Sequence, residues 1–165
     1  MADSTVAIHN RKYLGAKHRL LPFVEQAILS RCERPIGRFV DLFSGTGVVA
    51  ERFRDHAEAV VANDLLYSNY VTNRAFLATS PRDCPTERLA GLLDDLNRLG
   101  PLEGYVSEAY GGLYFTRENA ALIDARREAI AAAPLSEAER LVLLASLLYA
   151  ADKVANTAGQ YDAYL

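Results

Sequence analysis

A glycine-rich turn is the part of this sequence best suited to chemistry. Gly45 and Gly47 follow a short apolar run and precede a predicted helix. Glycines at such a position allow a tight turn and let a ligand approach the backbone closely. With Ala50, their spacing fits the Gly-x-Gly-x-x-Gly/Ala fingerprint of dinucleotide-binding turns. No Lys-Ser/Thr pair follows the glycines, which excludes a phosphate-binding P-loop.

Two acidic residues accompany this turn. Asp41 lies in the preceding predicted strand, and Asp64 follows the next predicted strand, 17 residues after Gly47. An acid at the second position accepts hydrogen bonds from the ribose hydroxyls of an adenosine-containing ligand. S-adenosylmethionine carries adenosine, a positive sulfonium and no phosphate, so two carboxylates suit it better than a phosphate cradle. The alternatives are that each aspartate caps a loop or helix, or that the turn binds a nicotinamide cofactor.

The predicted elements around these residues form a β-α-β unit. Strands are predicted over 38–43 and 59–63, with a helix over 48–54 between them, which indicates a parallel pair. Helical spacing of apolar residues predicts the remaining elements. These are helices over 20–32, 66–79, 87–99, 116–132 and 136–156, with a loop over 101–114.

Only two strands are predicted, although parallel sheets need several strands and cover on both faces. We therefore expect an incomplete α/β portion over residues 10–64, followed by a mostly helical region over 65–165. In this interpretation the chain is the front part of a longer protein or one half of a pair. The alternative is a less regular α+β domain that is complete in itself.

Composition narrows the class of protein. The chain has 165 residues, 50% of them apolar and 24% charged, with a formal net charge of −3. These values are typical of a soluble globular domain and exclude a disordered or collagen-like chain. Cys32 and Cys84 form no Cys-x-x-Cys pair, so neither a disulfide framework nor a zinc site is expected. We expect no metal, no membrane segment and a cytoplasmic location.

One stretch departs from the acidic average. Residues 11–20 contain four lysine or arginine residues and no acid. A local positive charge fits an anionic partner. The simpler interpretation is a solvated, charged surface.

Three sequence blocks together resemble the adenine-specific DNA methyltransferases of the Dam-like D12 class. They are Arg11–Lys17 with its aromatic-x-Gly-x-Lys pattern, Phe39–Gly47 with its Phe-x-Gly-x-Gly pattern, and the pair Asn63-Asp64. They occur in the family's order. Two later stretches, 114–119 and 156–164, look like family segments from the target-recognition region.

The resemblance implies a partial Rossmann-like methyltransferase fold, S-adenosylmethionine as cofactor, double-stranded DNA as partner, and methylation of adenine N6. It also implies roles for individual residues. Those expected near the cofactor are Tyr13, Gly15, Lys17, Asp41, Phe43, Gly45, Gly47, Asn63 and Asp64. Those expected near DNA are Arg11, Lys12, Arg117, Asn119, Asn156, Thr157, Gln160 and Tyr161. Restriction–modification, mismatch marking and phage defence are all compatible biological roles.

The family's catalytic tetrapeptide, Asp/Asn-Pro-Pro-aromatic, does not occur here. The six prolines are isolated from one another, so no catalytic residue is assigned. We expect this chain to be the cofactor-binding and recognition part, with the catalytic motif on a later segment or a second subunit. The alternatives are a non-catalytic module that binds S-adenosylmethionine and DNA, or a nicotinamide-dependent α/β protein.

Overall fold

A computed structural model describes residues 18–32 and 35–157 of the chain. The first unit of structure ends at Leu77 and the second begins at Ala78. The first unit contains α1 (Leu21–Leu29), β1 (Ile36–Asp41), α2 (Val48–Arg52), β2 (Ala57–Ala62) and α3 (Tyr67–Asn73). The second contains α4 (Thr86–Asn97), α5 (Tyr105–Tyr110), α6 (Arg117–Ala132) and α7 (Glu137–Val154). Within the described residues, no helix is long and apolar enough to cross a membrane.

The predicted β-α-β unit is confirmed. The strands β1 and β2 pair in parallel, with Phe39 opposite Val60 and Val40 opposite Val61. Both strands begin two residues earlier than predicted, and β1 ends at Asp41. The prediction that β1 continues to Phe43 was wrong, because the chain leaves the ladder after Asp41 to enter the glycine turn.

Aromatic and aliphatic packing holds the helices of the first unit against one face of the strand pair. Phe53 is fully buried, and its ring stacks on Phe39 with centroids 4.1 Å apart and planes 3° apart. Val24 of α1 packs against the same cluster. The Glu25 carboxylate also contacts two basic side chains: its Oε2 lies 2.6 Å from Arg52 Nη2, and its Oε1 lies 2.6 Å from His56 Nε2. Helix α1 is therefore fixed beside α2, the helix that follows the glycine turn.

On the opposite face of the strand pair, two valines are exposed. Val40 and Val61 are opposite each other in register and are 45% and 44% exposed. Neighbouring residues on a strand point to opposite faces, so Phe39 and Val60 lie on the covered face and these valines on the other. A parallel sheet normally buries both faces, so these two exposed valines depart from the usual pattern.

Helix α3 is shorter than predicted. The regular helix ends at Asn73, and residues Arg74–Ala78 form a π-helical turn instead of continuing it. Such turns occur as single insertions at the ends of α-helices or within them.

In the second unit, helix caps explain where elements begin. A capping box begins α7: Ser136 Oγ accepts from Glu139 N at 3.2 Å, and Glu139 Oε2 accepts from Ser136 N at 2.8 Å. At α4, Thr86 is the first helical residue and Pro85 precedes it. The predicted helix over 116–132 is confirmed, with Thr116 as its cap.

The loop predicted over 101–114 contains a helix, α5. The fully buried carboxylate of Asp124, from α6, accepts hydrogen bonds from Val106 N at 3.0 Å and Ser107 N at 2.7 Å. It thereby satisfies backbone donors that have no partner within the first helical turn. Since the cap comes from 17 residues further along the chain, the local sequence gives no sign of it.

Candidate functional site

The candidate site lies where the two parallel strands end at the same edge. The glycine turn follows β1 and Asn63 follows β2. Asn63 joins the two segments: its Nδ2 donates to Leu42 O at 2.9 Å, and its carbonyl oxygen accepts from Ser44 N at 2.9 Å. The structure therefore brings together the glycine turn and the Asn63-Asp64 pair, as their positions after neighbouring strands predict.

Asp64 closes the glycine turn. One carboxylate oxygen, Oδ2, accepts from Gly45 N at 2.8 Å. The other, Oδ1, accepts from Leu66 N at 3.0 Å and from Asn69 Nδ2 at 2.9 Å. All three partners are donors, so the arrangement requires a carboxylate that is ionised or that keeps its proton away from them.

The pKa of Asp64 reflects two opposed effects. Partial burial raises it, whereas four hydrogen bonds, from Leu66, Asn69, Gly45 and Leu65, lower it and outweigh the burial. The net pKa lies below the ordinary value of 3.8, so the side chain is negatively charged at neutral pH. A fixed negative charge therefore stands at the end of β2, where it can accept hydrogen bonds from hydroxyl groups.

The two glycines of the turn adopt backbone conformations that other residues rarely adopt. Gly45 has φ +52° and Gly47 has φ +83°. At Gly47, a Cβ atom would lie 2.2 Å from Asn73 Oδ1, so no side chain fits there without displacing that amide. Residues 44–50 are buried, which keeps the turn tightly packed.

Two residues of α3 complete the site, and the sequence analysis missed both. Asn69 and Asn73 are buried and four positions apart, so they lie on one face of the helix. Asn69 donates to Asp64, and Asn73 donates through Nδ2 to Ser44 Oγ at 2.8 Å. Asparagine is unfavourable inside helices. Two asparagines at positions i and i+4 of a predicted helix, shortly after Asp64, were therefore the sequence signal that could have identified these two residues.

Exposed apolar side chains flank this polar centre. Phe43, after β1, is 81% exposed, and Leu65, after β2, is 97% exposed. A ligand with a flat apolar ring and hydroxyl groups would meet apolar surface and a carboxylate at the same edge of the sheet. The remaining predicted acid, Asp41, is half-buried at the end of β1.

Several predicted residues lie outside the described residues and stay predictions. They are Arg11, Lys12, Tyr13, Gly15, Lys17, Gln160 and Tyr161. In the part of the chain that the structure covers, no three histidine, cysteine or acidic side chains are grouped so that they could hold a metal ion.

The predicted DNA contacts that the structure describes all belong to the second unit. Arg117 is exposed and Asn119 is half-buried, both in the first turn of α6. Asn156 is exposed, and its backbone N–H donates to Tyr114 O at 2.7 Å. Thr157 is only 5% exposed, so contact with DNA would require it to be uncovered. The Thr157 side chain therefore offers little surface for contact with a partner.

The charge of the second unit restricts where DNA can bind on it. Residues 78–165 contain eight basic and thirteen acidic side chains, a formal net charge of −5. Phosphate contacts need positive charge, so this unit as a whole does not attract a DNA backbone. Any contact there must be local, as at Arg117.

A parallel strand pair with a glycine turn after one strand and an acid after the other defines an α/β protein with a candidate site at the carboxyl edge of its strands. Comparison with known families gives a narrower class. Residues 13–165 match the family model of the D12 class N6 adenine-specific DNA methyltransferases, and the chain belongs to that family. The resemblance noted from the three sequence blocks is thus confirmed.

Individual relatives are similar along nearly the whole chain. The type II methyltransferase M.NlaIII of Neisseria lactamica is 37% identical, and M.CviAII of Paramecium bursaria Chlorella virus 1 is 31% identical. Modification methylase LlaI of Lactococcus lactis is 35% identical. Each alignment covers 93% of this chain, but only 48%, 48% and 27% of the respective relative. The chain therefore spans half or less of these relatives, and no solved structure matches it.

Proposed function

We propose that this chain is the cofactor-binding and target-recognition part of a DNA methyltransferase that transfers a methyl group from S-adenosylmethionine to adenine N6. The observation that carries the proposal is the ionised Asp64 at the end of β2, hydrogen-bonded to the glycine turn after β1 in a chain of the D12 family. The partial Rossmann-like fold is part of this proposal, since nucleotide ligands bind at the carboxyl ends of parallel strands.

The residues present fit this cofactor. Asp64 supplies negative charge and acceptor oxygens for the ribose hydroxyls, and Gly45 carries no side chain in the turn beside it. Asp41 adds a second carboxylate at the same edge, which favours a cationic ligand over a phosphate. Phe43 and Leu65 offer apolar surface to the adenine ring.

The cofactor supplies an electrophilic methyl group when bound, and the residues of this chain position it. Asp64 orients the ribose, Asn63 holds the two post-strand segments together, and the glycine turn sets the depth of binding. By family resemblance, Tyr13, Gly15 and Lys17 contact the methionine end. The groups that accept hydrogen bonds from the adenine amino group are proposed to lie on the Pro-Pro-aromatic motif, which this sequence does not contain.

A further polypeptide segment is proposed to complete the sheet. Val40 and Val61 expose an apolar face that parallel sheets normally bury, and the relatives M.NlaIII and M.CviAII are about twice as long as the matched region. The added strands would cover this face and supply the catalytic motif, either within one chain or as a second subunit.

The proposed partner is double-stranded DNA, and the proposed setting is a restriction–modification system. The names of the relatives, type II methyltransferase and modification methylase, support this setting. Within the described residues, Arg117, Asn119 and Asn156 are the candidates for contact with DNA.

Titration calorimetry with S-adenosylmethionine and, separately, with NAD tests the cofactor proposal. We expect the chain to bind S-adenosylmethionine and not NAD. The Asp64→Ala variant should bind at least tenfold more weakly, because it loses charge-assisted hydrogen bonds to the ribose. The exposed Asp55→Ala serves as the matched control and should bind like the unmodified chain. Binding of NAD alone would favour the nicotinamide alternative.

A methylation assay tests the proposed division of labour. The chain mixed with DNA and radiolabelled S-adenosylmethionine should transfer no methyl group by itself. Transfer should appear when the segment carrying the Pro-Pro-aromatic motif is added or fused. Cofactor binding without transfer, even in the fused protein, would instead support a non-catalytic binding module.

A further inference from the structure

Helix α3 holds both halves of the candidate site through two buried amides. Asn69 donates to the Asp64 carboxylate at 2.9 Å, and Asn73 donates to Ser44 Oγ at 2.8 Å and to Gly45 O at 3.4 Å. One helix face thus contacts the acid after β2 and the turn after β1.

The oxygen atoms of the same amides show that packing alone does not explain these residues. Asn69 Oδ1 and Asn73 Oδ1 are buried, and no hydrogen-bond donor reaches either of them within the described part of the chain. An unpaired buried acceptor destabilises a fold, and an apolar side chain of similar size would avoid that cost. The hydrogen bonds that the two amide nitrogens donate are therefore the feature that an apolar residue could not supply.

For Asn69, the nitrogen fixes the rotation of a carboxylate. The Asp64 carboxylate accepts hydrogen bonds from Gly45 N, Leu66 N and Asn69 Nδ2, and the Leu65 backbone N–H also lowers its pKa. All of these donors except Asn69 are backbone groups. Asn69 is the one side-chain donor, and because it is fully buried it can move little. Together with Gly45 N on Oδ2 and Leu66 N on Oδ1, it restrains which lone pairs face the open edge of the sheet.

For Asn73, the amide fixes the shape of the turn. Its nitrogen bonds to Ser44 and Gly45, and its oxygen lies against Gly47, where a Cβ atom would be only 2.2 Å away. The amide thus occupies the space beneath the turn that a side chain at position 47 would need. The conformation of the glycine turn and the position of the Asn73 amide therefore depend on each other.

We propose that Asn69 and Asn73 are positioning residues of the cofactor site: Asn69 orients the Asp64 carboxylate toward the ribose, and Asn73 sets the glycine turn. This inference rests on the proposed function for the identity of the ligand. The positions of the carboxylate and of the turn are measurable without any ligand.

The experiment compares Asn69→Ala and Asn73→Ala with Thr72→Val in the full chain. Thr72 is buried on the same helix, and its hydroxyl donates to Asn69 O, so its loss weakens α3 without removing a contact to Asp64. The measurements are the affinity for S-adenosylhomocysteine, the pKa of Asp64 from carboxyl carbon NMR, amide exchange over residues 44–47, and the melting temperature.

The two asparagine variants should differ in a characteristic way. Asn69→Ala should weaken S-adenosylhomocysteine binding about tenfold and raise the pKa of Asp64, because one donor to the carboxylate is lost. Asn73→Ala should weaken binding by a similar factor, leave the Asp64 pKa unchanged and accelerate amide exchange at Gly45. Thr72→Val should lower the melting temperature and leave the affinity and the Asp64 pKa unchanged.

Other results would overturn the inference in distinguishable ways. If Asn69→Ala keeps both the affinity and the Asp64 pKa, Asn69 does not position the carboxylate. If the unmodified chain does not bind S-adenosylhomocysteine, the proposed cofactor is wrong, and the Asp64 pKa and amide exchange still decide whether the asparagines position these groups. If Asn69→Ala does not fold, Asn69→Ser gives the same comparison with a shorter donor.

Discussion

Replacing Asp64 with asparagine keeps the shape of the side chain and removes its charge. In the structure, all three partners of this side chain are donors: Gly45 N, Leu66 N and Asn69 Nδ2. An asparagine offers one oxygen and one NH₂ group. Whichever way it is oriented, its NH₂ group faces at least one donor. The least costly orientation keeps the oxygen toward Leu66 and Asn69 and leaves the Gly45 N–H without a partner.

The size of the effect follows from these contacts. A buried N–H left without an acceptor costs about 1–3 kcal/mol. The two remaining hydrogen bonds change from charge-assisted to neutral, which weakens each by about 0.5–1 kcal/mol. We therefore expect Asp64→Asn to lower the free energy of unfolding by about 2–5 kcal/mol, a large part of the stability of a small domain.

Urea unfolding followed by circular dichroism measures this loss, since the chain has no tryptophan for fluorescence. Amide exchange at Gly45, measured by NMR, localises it. The matched control is Asp55→Asn, the same chemical change at an exposed position, which should stay within about 0.5 kcal/mol of the unmodified chain. If Asp64→Asn is as mild as this control, the carboxylate does not hold the turn and the reasoning fails.

Two further substitutions test other contacts. Gly47→Ala should destabilise the first unit by about 1–2 kcal/mol or more, because φ is +83° and the new Cβ would collide with Asn73 Oδ1. Chemical unfolding measures this loss. Asp124→Ala should lower the free energy of unfolding of the second unit by about 2–4 kcal/mol and unfold α5. It removes the acceptor for three hydrogen bonds, two of them from Ser107. The amide-exchange rates of residues 105–110 report on α5.

Each of these substitutions has a distinguishing check. Gly37→Ala meets no atom within 4 Å of the new Cβ, so it should leave stability almost unchanged, and equal losses at both glycines would contradict the collision argument. For Asp124, burial raises the pKa, but hydrogen bonds from Ser107 and Val106 lower it below the ordinary value of 3.8. Its stabilising contribution is therefore present above pH 3.8 and is lost as the pH falls toward the lowered pKa. In Asp124→Ala this acid-dependent loss should be absent.

Local sequence signals predicted much of the fold. The β-α-β unit, the α6 helix after Thr116 and the capping box at Ser136 all follow from residues adjacent in the chain. The errors arose where a distant residue decides the local structure. Helix α5 forms because Asp124 caps it from α6, and strand β1 ends early because the chain turns toward Asn63.

The sequence by itself determined the types of groups at the candidate site. The two glycines, Asn63 and Asp64 are identifiable because turn chemistry and an acid after a strand are short-range patterns, and parallel strands must end at one edge. Only the tertiary structure decided how they are held: Asp64 binds the turn through Gly45, and α3 brings Asn69 and Asn73 beneath both. These contacts join residues up to 29 positions apart. The spacing of residues along the chain does not specify which donor meets which acceptor, because that depends on how the helix packs.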